Sequence, residues 1–369
     1  MRRLVIVVPE LLSEAVPILD RGLPGFSALA ERSTLYRLSQ PEPSETPEAR
    51  LLGLKPSEAE LRQGPLTVAA FGADPPTRSL HFHLSLLGVE GDLVRQPDPL
   101  PSAEELRVII EAARKLNRRD LTLVPGVGLD NGLVWEGLGD MATVPPAVLL
   151  GKPLRECLPM GDAEPMLRQY IDDSVNLLND LDLNRRRLDE GFAPVNLLWP
   201  WGQGVRIPVP NLPLMRGEPA TVTSNSLRLA GLTRLVGYRH SELSWLGTGL
   251  QTHLRDAAGK ILSGSSSILV LDSIGCFRSK IELDEAAYFA RQFDLDVLQP
   301  ILSRAADEPL KLLLAAPAEA HDGLALVFDS KSVSNSTYPF DERSIDEARL
   351  GRVDLESLVG SALTADASN

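Results

Sequence analysis

The chain has 369 residues, 43% hydrophobic and 24% charged, which excludes wholesale disorder and suits two compact units or one core carrying an insertion. A formal net charge of −13, with no segregated basic patch beyond the Arg185-Arg186-Arg187 run, disfavours nucleic acid and anionic membrane surfaces as partners. The two cysteines, Cys157 and Cys276, give no disulfide framework and no CxxC metal knuckle, and read as reduced thiols.

In chain order, the apolar run Leu4–Val8 follows two arginines and meets Pro9-Glu10 at once. It is short and lacks a small-residue cleavage site, so it predicts a first β-strand and a cytoplasmic protein. Residues 39–50, SQPEPSETPEAR, carry three prolines and no apolar period, and read as a loop. In SLHFHLSLLG, His81 and His83 alternate and so share one strand face. Two such imidazoles could hold a metal, but no Asp, Glu or Cys stands at ligand spacing, and the pattern reads as a polar face.

Ser102 followed by Glu105 predicts a capped helix start, leading to two strands, LTLVPG and GLVWEG, joined by a glycine-rich turn. A helix is expected over residues 163–183. In VNLLWPWGQG, alternation puts Leu197, Trp199 and Trp201 on one face, Pro200 requires an edge or strand end, and Gly202 and Gly204 are expected to turn the chain. The runs ILVLD, LKLLLAA and LALVF read as buried strands, and residues 282–305 as an amphipathic helix, so the core is an α/β sheet. His321 lies in AHDG, which suggests catalysis and is equally ordinary turn chemistry. The common nucleotide loops and the hydrolase elbow are absent.

Three segments, VIVVPELLSE (5–14), SETPEARLLGLKPSEAELRQGPL (44–66) and NRRRLDEGFAPVNLLWPWGQG (184–204), resemble the archaeal-type cofactor-independent phosphoglycerate mutases of the alkaline phosphatase superfamily. Weaker similarity runs through TSNSLRLAGLTRLVGY, LDVLQPIL and FDERSIDEARLGRV. The resemblance implies an alkaline-phosphatase-like α/β core with a mostly parallel sheet flanked by helices, formed by 1–60 and 190–369. A smaller α+β domain, 61–189, is inserted, and the family's cleft lies between the two at the carboxyl ends of core strands. Trp199 and Trp201 are then expected to close the junction where the chain re-enters the core.

By the same resemblance Ser44 stands at the phosphoryl-accepting nucleophile, which the family activates with two divalent ions held by aspartates and histidines. This sequence departs at those ligands. The first-strand aspartate and its following glycine are Glu10 and Leu11, and the Pro-Asp-Glu-Ala-Gly-His motif reads Gly-Cys-Phe-Arg-Ser-Lys, putting Cys276 and Lys280 at ligand positions. The Asp-His pair after the LLLA strand is Ala316-Pro317, a later histidine is lost near SNSTYPF, and the substrate-side Arg-Cys-Asn is His83-Leu84-Ser85.

The expectation is an inactive relative without a cofactor, binding a phosphorylated or carboxylate metabolite, a protein partner or a second copy. Lys280 and Arg278 either supply fixed cations in place of the metal charge or are solvated surface residues. The alternative is an active isomerase or phosphotransferase of the glycolytic mutase type. It would use Ser44 with manganese, magnesium or zinc in a site rebuilt from Glu10, Glu45, His81, His83 and His321.

Overall fold

The structure, a computed structural model, describes residues 1–9, 11, 23–39, 47–54, 62–74, 78–206, 208–217, 220–243, 250–264, 266–271, 283–317, 323–331 and 352–363. The chain divides into two compact units, residues 1–60 with 209–369 and residues 61–208. The first part of the larger unit contains β1 (Arg2–Val7), α1 (Pro24–Glu31), β2 (Ser33–Leu38) and α2 (Pro47–Leu51). The smaller unit follows with α3 (Gln63–Ala70), β3 (Leu80–Glu90), β4 (Leu93–Arg95), α4 (Ala103–Ala113), β5 (Leu121–Val127), β6 (Asp130–Trp135), α5 (Pro146–Leu149), α6 (Glu164–Asn179), α7 (Asp182–Asp189) and β7 (Leu197–Gly204). The larger unit resumes with α8 (Leu212–Arg216), β8 (Thr221–Ser224), α9 (Leu227–Leu235), β9 (Arg239–Glu242), α10 (Leu250–Ile261), β10 (Ser266–Val270) and α11 (Leu283–Phe293). It ends with α12 (Gln299–Arg304), β11 (Leu310–Ala316), β12 (Gly323–Asp329), β13 (Arg352–Val353) and α13 (Leu355–Leu363).

In the larger unit eight strands are ordered β13-β2-β12-β11-β1-β10-β8-β9, and of these only β12 runs against its neighbours. The short apolar runs become strands because both faces of the sheet are covered, leaving little room for a polar residue in β1 or β11. Leu4 and Ile6 enter a cluster with Phe26 and Leu29 of α1, Leu254 of α10 and Phe289 and Phe293 of α11. Helix α13 packs against β1 and β11, burying Val359 and Leu363.

The helix expected over 282–305 is one rod with a π-helical turn, Asp294–Leu298, between α11 and α12. That turn buries Asp294, whose carboxylate accepts the backbone N–H of Gly25 at 3.2 Å and of Phe26 at 2.7 Å, and the Gln299 amide at 2.8 Å. Asp294 therefore caps α1, which has no side-chain cap of its own.

In the smaller unit β4-β3-β6-β5 form an antiparallel sheet and β7 pairs with β3. Leu80, Phe82, Leu84 and Leu86 share a core with Ile109 of α4 and Leu167, Tyr170 and Leu178 of α6. The expected capping box is present: Ser102 Oγ accepts Glu105 N–H at 3.2 Å, and the Glu105 carboxylate accepts Ser102 N–H at 2.8 Å. The helix expected over 163–183 is instead two, because the chain breaks after Asn179 and restarts at Asp182.

Strand pairing also moves the end of the insert from 189 to 208. Strand β7 lies antiparallel on β3, and the Asn196 side chain grips both backbone groups of Val89, at 2.7 and 3.1 Å. Residues 190–208, expected in the core, belong to the smaller unit. Among the described residues no helix is long and apolar enough to cross a membrane.

Candidate functional site

Strands β8, β10, β1 and β11 run in one direction, so their carboxyl ends share one edge of the sheet. Val7 is level with Val270 of β10 and Ala315 of β11, and Leu269 is level with Thr223 of β8. The ladder continues past the strands: Val8 N–H donates to Ala315 O and Leu271 N–H to Val7 O, both at 3.0 Å. From β8 the chain moves outward to β9, whereas from β10 it crosses β1 to reach β11. That reversal marks the place where open α/β sheets form a ligand crevice.

Some of the residues expected to carry chemistry follow these strands in the sequence. Glu10 comes two residues after the described Val8, and Cys276, Arg278 and Lys280 come soon after Leu271. Glu10, Ser44, Glu45, Cys276, Arg278, Lys280 and His321 all lie outside the described residues. Ala316 and Pro317 are described at the end of β11, where Ala316 is buried. A methyl group and a pyrrolidine ring offer no donor to a hard divalent ion, so these two positions do not fit the metal that the resemblance implies.

Helix α2, which begins three residues after Ser44, is held at both ends. Glu48 in its first turn accepts from Arg228 Nε at 3.0 Å, in the first turn of α9, which itself follows β8. At its other end Arg216 Nη2 donates to Leu52 O at 2.6 Å, beside Gly53, whose φ of 67° suits glycine. Nearby, Ser224 ends β8 buried, with its hydroxyl 3.3 Å from His240 Nε2. Burial, then the charge of Arg234, holds the His240 imidazole below the ordinary histidine pKa.

The second cluster lies wholly within the smaller unit. His81 and His83 do share a face of β3, but that face is covered by α3 and both rings are buried, which corrects the reading of a polar strand face. His83 Nδ1 is 2.9 Å from Thr67 Oγ1 of α3, and Nε2 is 3.0 Å from Asp130 Oδ1 of β6. Gln63 Nε2 donates to Thr67 Oγ1 at 3.1 Å, so the threonine O–H is assigned to Nδ1 and the His83 Nε2–H to Asp130. The Trp201 ring stands 4.8 Å from the His83 ring, and its indole N–H donates to Ser85 Oγ at 2.9 Å. His81 Nε2 is 2.9 Å from Ser79 Oγ, while among the described residues its buried Nδ1 has no hydrogen bond. Burial first, then the charge of Arg206, lowers the His81 pKa to about 4. Among the described residues no three His, Cys, Asp or Glu side chains gather as a metal shell.

The partnership of Thr67, His83 and Asp130 was not foreseen. Alternation identifies the strand face, but nothing local to residues 81–85 says that a helix upstream will cover it. The tryptophan segment also differs. Trp199 is fully buried with its N–H on Val144 O at 2.8 Å, and Gly202, at φ 63°, sits at a register irregularity between β7 and β3 instead of a chain turn. A Cβ on Gly202 would lie 2.7 Å from Gln63 Cβ, so the bare backbone is what lets α3 lie against this strand.

No family model matches the chain. The 2,3-bisphosphoglycerate-independent phosphoglycerate mutase of Methanosarcina barkeri is 25% identical over 345 residues, 88% of this chain and 87% of its own length. This chain is a relative of the 2,3-bisphosphoglycerate-independent phosphoglycerate mutases. The mutase of Methanothrix thermoacetophila is 26% identical over 254 residues, 66% of this chain and 61% of that one. The solved cofactor-independent phosphoglycerate mutase from Thermoplasma acidophilum superposes with a TM-score of 0.67 at 17% identity, covering 98% of this chain and 99% of that one. The mixed α/β architecture is thus that of the mutase fold, with its large, mostly parallel sheet and a separate antiparallel one.

Proposed function

We propose that this mutase relative no longer interconverts phosphoglycerates and instead binds an anionic metabolite or a protein partner at the carboxyl edge of its parallel sheet. The observation that carries the reading is Ala316-Pro317 at the end of β11, level with the end of β1, where the mutase chemistry calls for an Asp-His pair. A two-ion site missing these ligands on one strand, with Glu10 and Cys276 substituted on the others, has too few hard donors to hold both ions. Without them Ser44 keeps an ordinary hydroxyl, since no positive charge draws off its proton. Lys280 and Arg278 are the cations assigned to the bound anion. His81 and His83 do not favour the rebuilt metal site, because the ring nitrogens His83 would offer are both engaged and His81 is enclosed.

The test is elemental analysis of the purified protein together with assays interconverting 3- and 2-phosphoglycerate with added manganese. The expected result is substoichiometric metal and no turnover, with the protein stabilised against heat by a phosphorylated or carboxylate anion. Stoichiometric metal and turnover that Ser44→Ala abolishes would establish the active isomerase instead.

A further inference from the structure

The Asp130 side chain is 55% exposed, yet it is fixed from below by an imidazole that is only 4% exposed. The fixing runs through three hydrogen bonds in series, Gln63 to Thr67 to His83 to Asp130, the middle two residues being buried. Ordinary surface ion pairs contribute little and leave the carboxylate free to swing. Here one carboxylate oxygen is held on His83, and among the described residues the other oxygen has no hydrogen-bond partner. Beside the same imidazole stands Trp201, half-buried, its orientation locked by the bond to Ser85. Just before Asp130 in the hairpin, Val127 exposes an apolar surface.

An oriented carboxylate and the apolar surface of Val127, its partner across the hairpin, are elements that recognise an organic cation, through charge-assisted hydrogen bonds to the carboxylate and contact with an alkyl stem. The chain's net charge of −13 would also draw positively charged partners toward it. We propose that Asp130, positioned by His83, is a contact site on the smaller unit for a guanidinium or ammonium group. The site is argued from residues of the smaller unit alone, and its test reads a cation and not the anion of the proposed function.

The experiment titrates the full-length, 15N-labelled protein with methylguanidinium chloride against sodium chloride at matched ionic strength, following the Trp201 indole N–H signal assigned with Trp201→Phe. A saturable shift is expected, at least fivefold weaker in Asp130→Asn and unchanged in Glu111→Gln, which removes an exposed carboxylate on α4. Asp130→Glu keeps the charge but carries it away from His83, and is expected to bind at least threefold more weakly. The absence of a saturable shift in the unaltered protein, a smaller loss in Asp130→Asn, or full binding by Asp130→Glu would each overturn the proposal. Comparing free arginine with N-acetyl-arginine amide then distinguishes the source. Tighter binding of the amide supports an arginine side chain of a partner protein, and tighter binding of the free form supports a small amine.

Discussion

His81 and His83 stand two residues apart on one strand, yet the protein treats them differently. His83 has a hydrogen-bond partner at each ring nitrogen, whereas among the described residues His81 has Ser79 on one side and none on the other. Protonating His81 would bury a charge near Arg206, itself in an ion pair with Asp74, and its pKa is accordingly lowered to about 4. Between pH 6.5 and about 4 the unfolded chain therefore binds a proton that the folded chain refuses. The stabilisation is complete above pH 6.5, declines as the pH falls toward 4, and declines no further below that. By the linkage relation the group accounts for roughly 3 kcal/mol at most across this window. Urea denaturation of His81→Leu at several pH values is expected to show a correspondingly shallower loss of stability between pH 6.5 and 4 than the unaltered protein shows. Parallel curves for the two proteins would refute the assignment.

At the scale of elements, long-range capping decides where α1 begins. Its N-terminal residue is Pro24, the preceding Leu23 has no side chain to cap with, and the free N–H groups of Gly25 and Phe26 are met by Asp294, nearly 270 residues on. Gly25 is needed for this approach, since a Cβ there would lie 2.6 Å from Asp294 Oδ1. Asp294→Ala leaves two buried donors unmet and is expected to cost about 2 to 3 kcal/mol, read as a lower urea midpoint with an unchanged slope. Little of this was legible in the sequence, because the pattern of residues 283–304 shows an amphipathic helix but not the extra residue of a π turn that directs Asp294 inward.

The same limit applies to the strands and to the candidate sites. Leu4–Val8 and residues 312–316 announce themselves as strands because each is apolar throughout, and from them follows the edge at which Ala316-Pro317 stands. The roles of Thr67 and Asp130 depend on packing across 16 and 47 residues of chain, which no local period encodes.

For the whole molecule the consequential question is where the inserted unit ends. Leu197–Gly204 contains a proline, two glycines and two tryptophans, and by local pattern looks like an exit from one domain into the next. Its pairing partners, Leu86 and Leu87 opposite Leu198 and Leu197, and Ser85 opposite Trp199, lie more than a hundred residues upstream. Without β7 the longest strand of the smaller sheet would lose its pairing over His81–Leu87, and Trp199 would be absent from a cluster containing Leu87, Val94, Leu149 and Ile171. Burying an indole of this size contributes on the order of several kcal/mol, and an unpaired apolar strand edge favours association between chains. Expressed separately, residues 61–208 are therefore expected to fold cooperatively, with a sigmoidal urea transition by circular dichroism. Residues 61–189 are expected to be aggregated or to melt without a cooperative step. If the shorter fragment unfolded as cooperatively as the longer, β7 would be an accessory to this unit, and the boundary at 208 would lose its energetic basis.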